Sequence, residues 1–183
     1  MDSSKIKKSI SSITFDGTRT VITFAQNFTP TGQKEAITET VPFHSDMLRH
    51  GDFNRAMENF KAHWVLRSLP FVKFEDRLGK VIDKKYFDDH LYEDDPRFSE
   101  VEVKSVIITT KKDVTGFQIN ASIASVDDEF SKWKCPVIST LKLDGGYNYP
   151  LLEIAKEHLE TLLLEAQEFL NYKSANGQLR MAV

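Results

Sequence analysis

Five histidines are the residues from which acid–base chemistry or metal binding would be built: His44, His50, His63, His90 and His158. None stands in an HExxH or HxH spacing and none has a cysteine pair nearby, so zinc would need ligands gathered from scattered positions. Surface or capping roles are expected for most of them. His158 falls near the apolar stripe of a helical segment, where a hydrogen-bonded core or interface histidine is expected. Cys135, the single cysteine, stands beside Pro136 with no recognisable histidine partner, which fits a small buried hydrophobe better than a nucleophile. Gly145-Gly146 precedes a helix as a phosphate-cradling loop would, yet a loop-to-helix junction accounts for it equally well, and there is no P-loop, GxSxG or GxGxxG. The acidic run from Asp88 to Asp95 lacks EF-hand spacing and its turn glycine, so a solvated linker is the expectation. No catalytic residue, metal ligand or cofactor is assigned on this basis, and an enzyme is not expected.

A second constellation is built for binding. Lysines interleave with aromatic and β-branched residues on segments that read as strands and turns: Lys5, Lys7 and Lys8 on the first, Arg19 in its turn, Lys111 and Lys112 in a later turn, and Lys132 and Lys134 about Trp133. Stacking aromatics combined with cations that track a backbone are how single-stranded nucleic acid is held. The candidate nucleic-acid contacts are therefore Lys7, Lys8, Arg19, Lys111, Lys112, Lys132, Trp133 and Lys134. The competing reading places Phe24, Phe28, Phe117 and Trp133 in the core, although thirteen phenylalanines and two tryptophans are more than one small core usually needs.

These residues must be positioned by strands and by two helices. Ile6, Ile10, Ile13 and Phe15 make a strand from Lys5 to Phe15 with one slip of phase that marks a bulge. Asp16-Gly17 is a turn, Thr20 to Phe28 alternates with Ile22, Phe24 and Phe28 on one face, and Glu35 to Phe43 is a third strand. Ser45 or Asp52 is expected to cap a helix carrying Phe53, Met57, Phe60 and Trp64 and ending near Leu69-Pro70. After Val101 to Thr110, Phe117 to Val126 and Trp133 to Leu143, all read as strands, a long helix is predicted over Tyr149 to Tyr172. Its residues Leu152, Ala155, Leu159, Leu162, Ala166 and Phe169 recur at spacings of three and four. The stripe is broader than one small sheet needs, so Leu152, Leu159, Leu162 and Phe169 are candidate self-association contacts and a homo-oligomer is expected.

The chain is thus expected to be α+β, with a meander-and-helix unit over residues 1–70, a charged connection with a short hairpin over 71–100, and a second meander-and-helix unit over 101–183. Lys8-Ser9-Ile10 and Lys104-Ser105-Val106 open equivalent strands, at an offset of about 96 residues, which suggests an internal duplication about a pseudo-twofold axis. A net charge of −3 argues against coating nucleic acid by charge alone, and a lone cysteine fits a reducing compartment. No run of eighteen apolar residues is present and the first thirty residues lack an apolar core, so neither a membrane partner nor export is expected and the cytoplasm is the expected location.

A tandem meander-plus-helix chain of this length resembles the Whirly and Pur type of single-stranded nucleic-acid-binding protein over Lys5 to Tyr172. The resemblance is one of topology. Those families have four strands in each unit where three are counted here, and the Whirly lysine-rich signature is not present, so no functional residue is carried over. What the resemblance implies is a binder of single-stranded nucleic acid. The alternative is a small viral or cellular interaction or assembly module that acts through the stripe of the last helix.

Overall fold

Alternation of apolar and polar residues builds the strands, and a single antiparallel sheet collects them. The computed structural model of the protein describes residues 9–28, 37–68, 85, 89, 101–111, 114–124, 130–140 and 149–175. Among these residues seven strands are formed: β1 (Ser9–Asp16), β2 (Arg19–Phe28), β3 (Ile37–Ser45), β4 (Val101–Lys111), β5 (Val114–Ala124), β6 (Phe130–Lys134) and β7 (Ile138–Ser139). Their order is β3-β2-β1-β4-β5-β6, with β7 also paired to β5. Helices α1 (Gly51–Glu58), α2 (Phe60–Ser68) and α3 (Leu152–Ala175) complete the described part. The expected α+β class is the observed one.

The slip of phase in the first strand is a bulge between Ile10 and Ser12, and it lets Ile10 and Ile13, three residues apart, both face the core. A bulge between Val103 and Ser105 does the same for Val103 and Val106 in β4. By this criterion Ile10 corresponds to Val103, whereas comparison of sequence alone matched it with Val106. The strand order is the same outward from the central β1–β4 pair in both directions. Among the described residues the likeness stops at the helices: the two short helices α1 and α2 follow β3, and one helix of 24 residues follows β7.

Strand residues on one face meet the helices. Ile22, Phe24, Val106, Phe117, Ile119 and Ala121 are buried there together with Phe53, Met57, Phe60 and Trp64, the four positions expected of the first helix. That helix is broken at Asn59 into α1 and α2, with the Asn59 N–H donating back to the carbonyl of Arg55. Its N-cap is His50, whose ring nitrogen accepts from the backbone N–H of Asp52; the expected cap Ser45 instead accepts from the N–H of Met47. The long helix begins three residues later than expected, at Leu152, and packs on α1 and α2.

The strand expected from Trp133 to Leu143 is divided. Pro136 has no N–H to give to a ladder, and the chain leaves β5 after Lys134 and rejoins it at Ile138. Gly116 of β5 permits the return, because a Cβ built there would lie 2.8 Å from Val137 Cγ1 and 2.9 Å from the carbonyl oxygen of Ile138. A Gly116→Ala variant is expected to push β7 off β5 at a cost of about 1–3 kcal/mol, the usual range for overpacking. Urea unfolding measures the loss, and hydrogen exchange at the Thr140 amide, which bonds the Thr115 carbonyl at 2.9 Å, reports where it occurs. Full protection at Thr140 in the variant would contradict this account. The hairpin expected between Phe71 and Ile82 lies outside the described residues.

Candidate recognition cleft

Of the residues singled out for nucleic acid, those within the described residues lie at separate places on the sheet. Arg19 is exposed at the start of β2 and is ion-paired with Asp46 at 3.1 Å. Lys134 is exposed at the end of β6. Lys111, Lys132 and Trp133 enter as backbone positions, and Lys7, Lys8 and Lys112 lie outside the described residues. Ile13 is opposite Val106 in the antiparallel β1–β4 pair, so Asp16 lies three residues one way and Lys111 five residues the other. The two cationic turns therefore leave opposite ends of the sheet, about 26 Å apart along the strands at roughly 3.3 Å per residue. Phe24 and Phe117 are core residues, 4% and 0% exposed. Trp133 pairs in the ladder with Ala121 as a backbone position. The stacking half of the nucleic-acid expectation thus loses Phe24 and Phe117.

The apolar stripe of α3 is also committed within one chain. Leu152, Leu159 and Leu162 are buried, and Phe169 packs edge-on against Phe43 at 6.4 Å and tilted against Phe53 at 5.5 Å. The breadth that suggested self-association is taken up because the stripe must cover α1, α2 and the rim of β3 at once. Leu164, outside the stripe, is the large apolar side chain that α3 leaves exposed among the described residues.

Where α3 passes α1, the described surface opens into a cleft of about 530 Å³, within the size range of ligand sites. Phe53 and Phe169 form its floor, Met47 and Leu48 line the wall before α1, and Asp52, Glu165 and Glu168 bring three carboxylates to it. Arg49 makes the wall rigid. Its guanidinium stacks over the Phe15 ring at 4.1 Å and donates to the Gly17 carbonyl at 2.8 Å, the Thr18 carbonyl at 3.2 Å and Asn54 Oδ1 at 2.8 Å. Gly17 adopts φ +56°, the left-handed conformation that turns its carbonyl toward Arg49 without a Cβ penalty. One cation thus ties the β1–β2 turn to the start of α1, and Leu48, one residue earlier, is left standing in solvent at 87% exposure. No spacing in the sequence announces this site, because Leu48 to Phe53 and Glu165 to Phe169 are joined only by tertiary packing.

The histidines divide as the fold dictates. His44 is exposed, His50 caps α1 and pairs with Asp52 at 3.2 Å, and His90 lies outside the described residues. His63 is fully buried and bridges two partners: its Nδ1 is 2.8 Å from the Tyr149 hydroxyl and its Nε2 is 2.9 Å from His158 Nδ1. Burial, and then the neighbouring His158, hold the His63 imidazole well below the ordinary histidine value. A neutral ring with one donor and one acceptor nitrogen suits this bridge, which pins α3 and Tyr149, three residues ahead of it, to α2. His158 is the hydrogen-bonded histidine expected on that helix; its partner, 95 residues away, was not. Cys135 is buried, accepts from the Ile119 N–H at 3.3 Å and has its thiol pushed up to about 11 by burial, so it behaves as a packed hydrophobe. Among the described residues no group of three or more His, Cys, Asp and Glu side chains is placed to hold a metal ion. Compared with protein-family models, curated proteins and solved structures, the chain finds no match, and the cleft is interpreted from its own geometry.

Proposed function

We propose that the protein is an interaction module that binds a segment of another polypeptide in the cleft between α1 and α3. The observation that carries this reading is apolar surface left in solvent around a preformed concavity. Leu48 is 87% exposed on one wall, and Leu164 is 65% exposed one turn along α3 from Glu168. The aromatic floor of Phe53 and Phe169 lies between elements held by Arg49 and by the core, so little ordering cost attends binding. Apolar surface extending past the cleft suits a polypeptide with several side chains better than a small compact molecule. The sequence offered an interaction module acting through the buried stripe of the last helix; the exposed surface beside that stripe takes its place.

Selection from a random peptide library against the wild-type chain, with counter-selection on Leu48→Asp and Leu164→Asp, tests the proposal. Both changes are at exposed positions and are expected to leave the circular dichroism spectrum and unfolding midpoint intact. Enriched peptides that bind wild type and lose most of their affinity to either variant support it. Peptides that bind all three proteins alike, or no enrichment, overturn it. A parallel titration with a mixed-sequence single-stranded oligonucleotide addresses the other reading: binding that weakens steeply with salt, while no peptide is enriched, would return the function to nucleic acid.

A further inference from the structure

We infer that the segment taken by the cleft carries a lysine or arginine beside an apolar side chain, the cation lying against Glu165 and Glu168 and the apolar group on Phe169 and Leu48. The inference rests on the docking reading above and adds the chemistry of the partner.

Three carboxylates approach an apolar floor from two elements, Glu165 and Glu168 from α3 and Asp52 from α1. The two basic side chains that line the same cleft, Arg49 and His50, make their contacts away from Glu165 and Glu168. Arg49 is turned toward the β1–β2 turn and Asn54, and His50 pairs with Asp52. Among the described residues, neither Glu165 nor Glu168 is in an ion pair. The Glu165 carboxyl is raised above its ordinary value by partial burial, then by Glu168 and Asp52, with His50 opposing. Behind burial, the neighbouring carboxylates add negative potential at Glu165. A bound cation relieves that potential, and it does so more strongly beside low-dielectric aromatic walls than in open water. Lysine and arginine also carry apolar stems that lie along rings while the charged head reaches a carboxylate, and a guanidinium stacks on an aromatic face. Acidic peptides, nucleic acid and anionic lipid are each repelled by Glu165 and Glu168, so charge selects among partners that would otherwise compete for the apolar surface.

The test uses the full chain and short fluorescent peptides on a common alanine–glutamine background. One carries leucine and lysine, a second has each lysine replaced by glutamine, and a third has each leucine replaced by serine. The leucine–lysine peptide is expected to bind on the order of 10-fold more tightly than the leucine–glutamine peptide at low ionic strength, with the advantage shrinking as salt is raised. Glu165→Gln with Glu168→Gln should bring the two leucine peptides to equal affinity, and Leu48→Asp should weaken both. Equal binding of the two leucine peptides to wild type, still abolished by Leu48→Asp, would leave the docking reading standing and overturn the choice of a basic partner. Equal binding of the serine–lysine and leucine–lysine peptides would reduce recognition to surface charge and overturn the inference. If no peptide binds, or binding ignores Leu48→Asp, the docking reading fails and the inference falls with it.

Discussion

Replacing Phe60 by alanine is expected to destabilise the fold by about 3–5 kcal/mol, the range observed for emptying a buried phenylalanine site. Phe60 is 0% exposed and begins α2, where the sheet and α3 converge. Its ring meets Phe117 of β5 edge-on at 5.8 Å, His63 of its own helix at 6.0 Å and His158 of α3 at 6.4 Å. Removing it takes away apolar contact with three elements and leaves a cavity whose walls are held by other attachments, strand pairing on one side and the His63–His158 bridge on the other. Collapse is therefore limited, which puts the cost toward the upper part of the range. Phe60→Leu keeps most of the volume and is expected to lose only about 1–2 kcal/mol, as shape-changing apolar substitutions do. Urea unfolding of both variants decides the matter. A Phe60→Ala loss below that of Phe60→Leu would mean that the core is not organised around this ring.

Much of this arrangement was legible from residue spacing. Phe53, Met57, Phe60 and Trp64 mark a buried helical face because spacings of four, three and four admit little else, and each of the four is buried. The bulge in β1 was legible too, since Ile10 and Ile13 cannot share a face of a regular strand. Local signals failed where a tertiary partner decides the outcome. Trp133 to Leu143 looks like one strand by composition, and only the approach of Val137 and Ile138 to Gly116 explains where it stops and restarts. His50 caps α1 although serine and aspartate are the stronger caps, because Ser45 closes the turn before it and Arg49 fixes where the helix begins. Aromatic residues interleaved with lysines fit a stacking platform and a half-buried sheet equally well. Which face Phe24 and Phe117 present is set by what the helices cover, and that depends on the whole topology. The cleft was illegible for a plainer reason. Its two walls come from segments more than a hundred residues apart, and neither has a periodicity that names its neighbour.

Stability is expected to decline as the pH falls from about 6.5 toward 5, with His63 as the main cause in that window. The imidazole is fully buried between Tyr149 and His158, and burial, followed by the neighbouring His158, holds it neutral in the folded chain. Its folded value lies below its unfolded value, so between the two the unfolded chain binds the extra proton. The stabilisation is complete above about 6.5 and is lost progressively below it, with a slope of up to roughly 1.4 kcal/mol per pH unit for one proton. Glu165 works in the opposite sense. Its carboxyl is raised in the folded chain, so its contribution favours the folded state as it becomes protonated, and the small extent of its burial keeps that contribution weak. The comparison that isolates His63 is a His63→Gln variant, whose amide retains a donor and an acceptor but does not titrate. At pH 8 the variant is expected to be less stable by about 1–3 kcal/mol, since two buried hydrogen bonds are remade with poorer geometry. Between pH 6.5 and 5 its stability should fall less than that of the wild type, so that the two curves converge. Chemical denaturation at successive pH values measures both curves, with Tyr149→Phe as a second variant that removes one bond and keeps the imidazole. Parallel curves for wild type and His63→Gln, with the Tyr149→Phe curve parallel as well, would show that protons taken up in acid go elsewhere and that the buried pair is not what makes the attachment of α3 sensitive to pH.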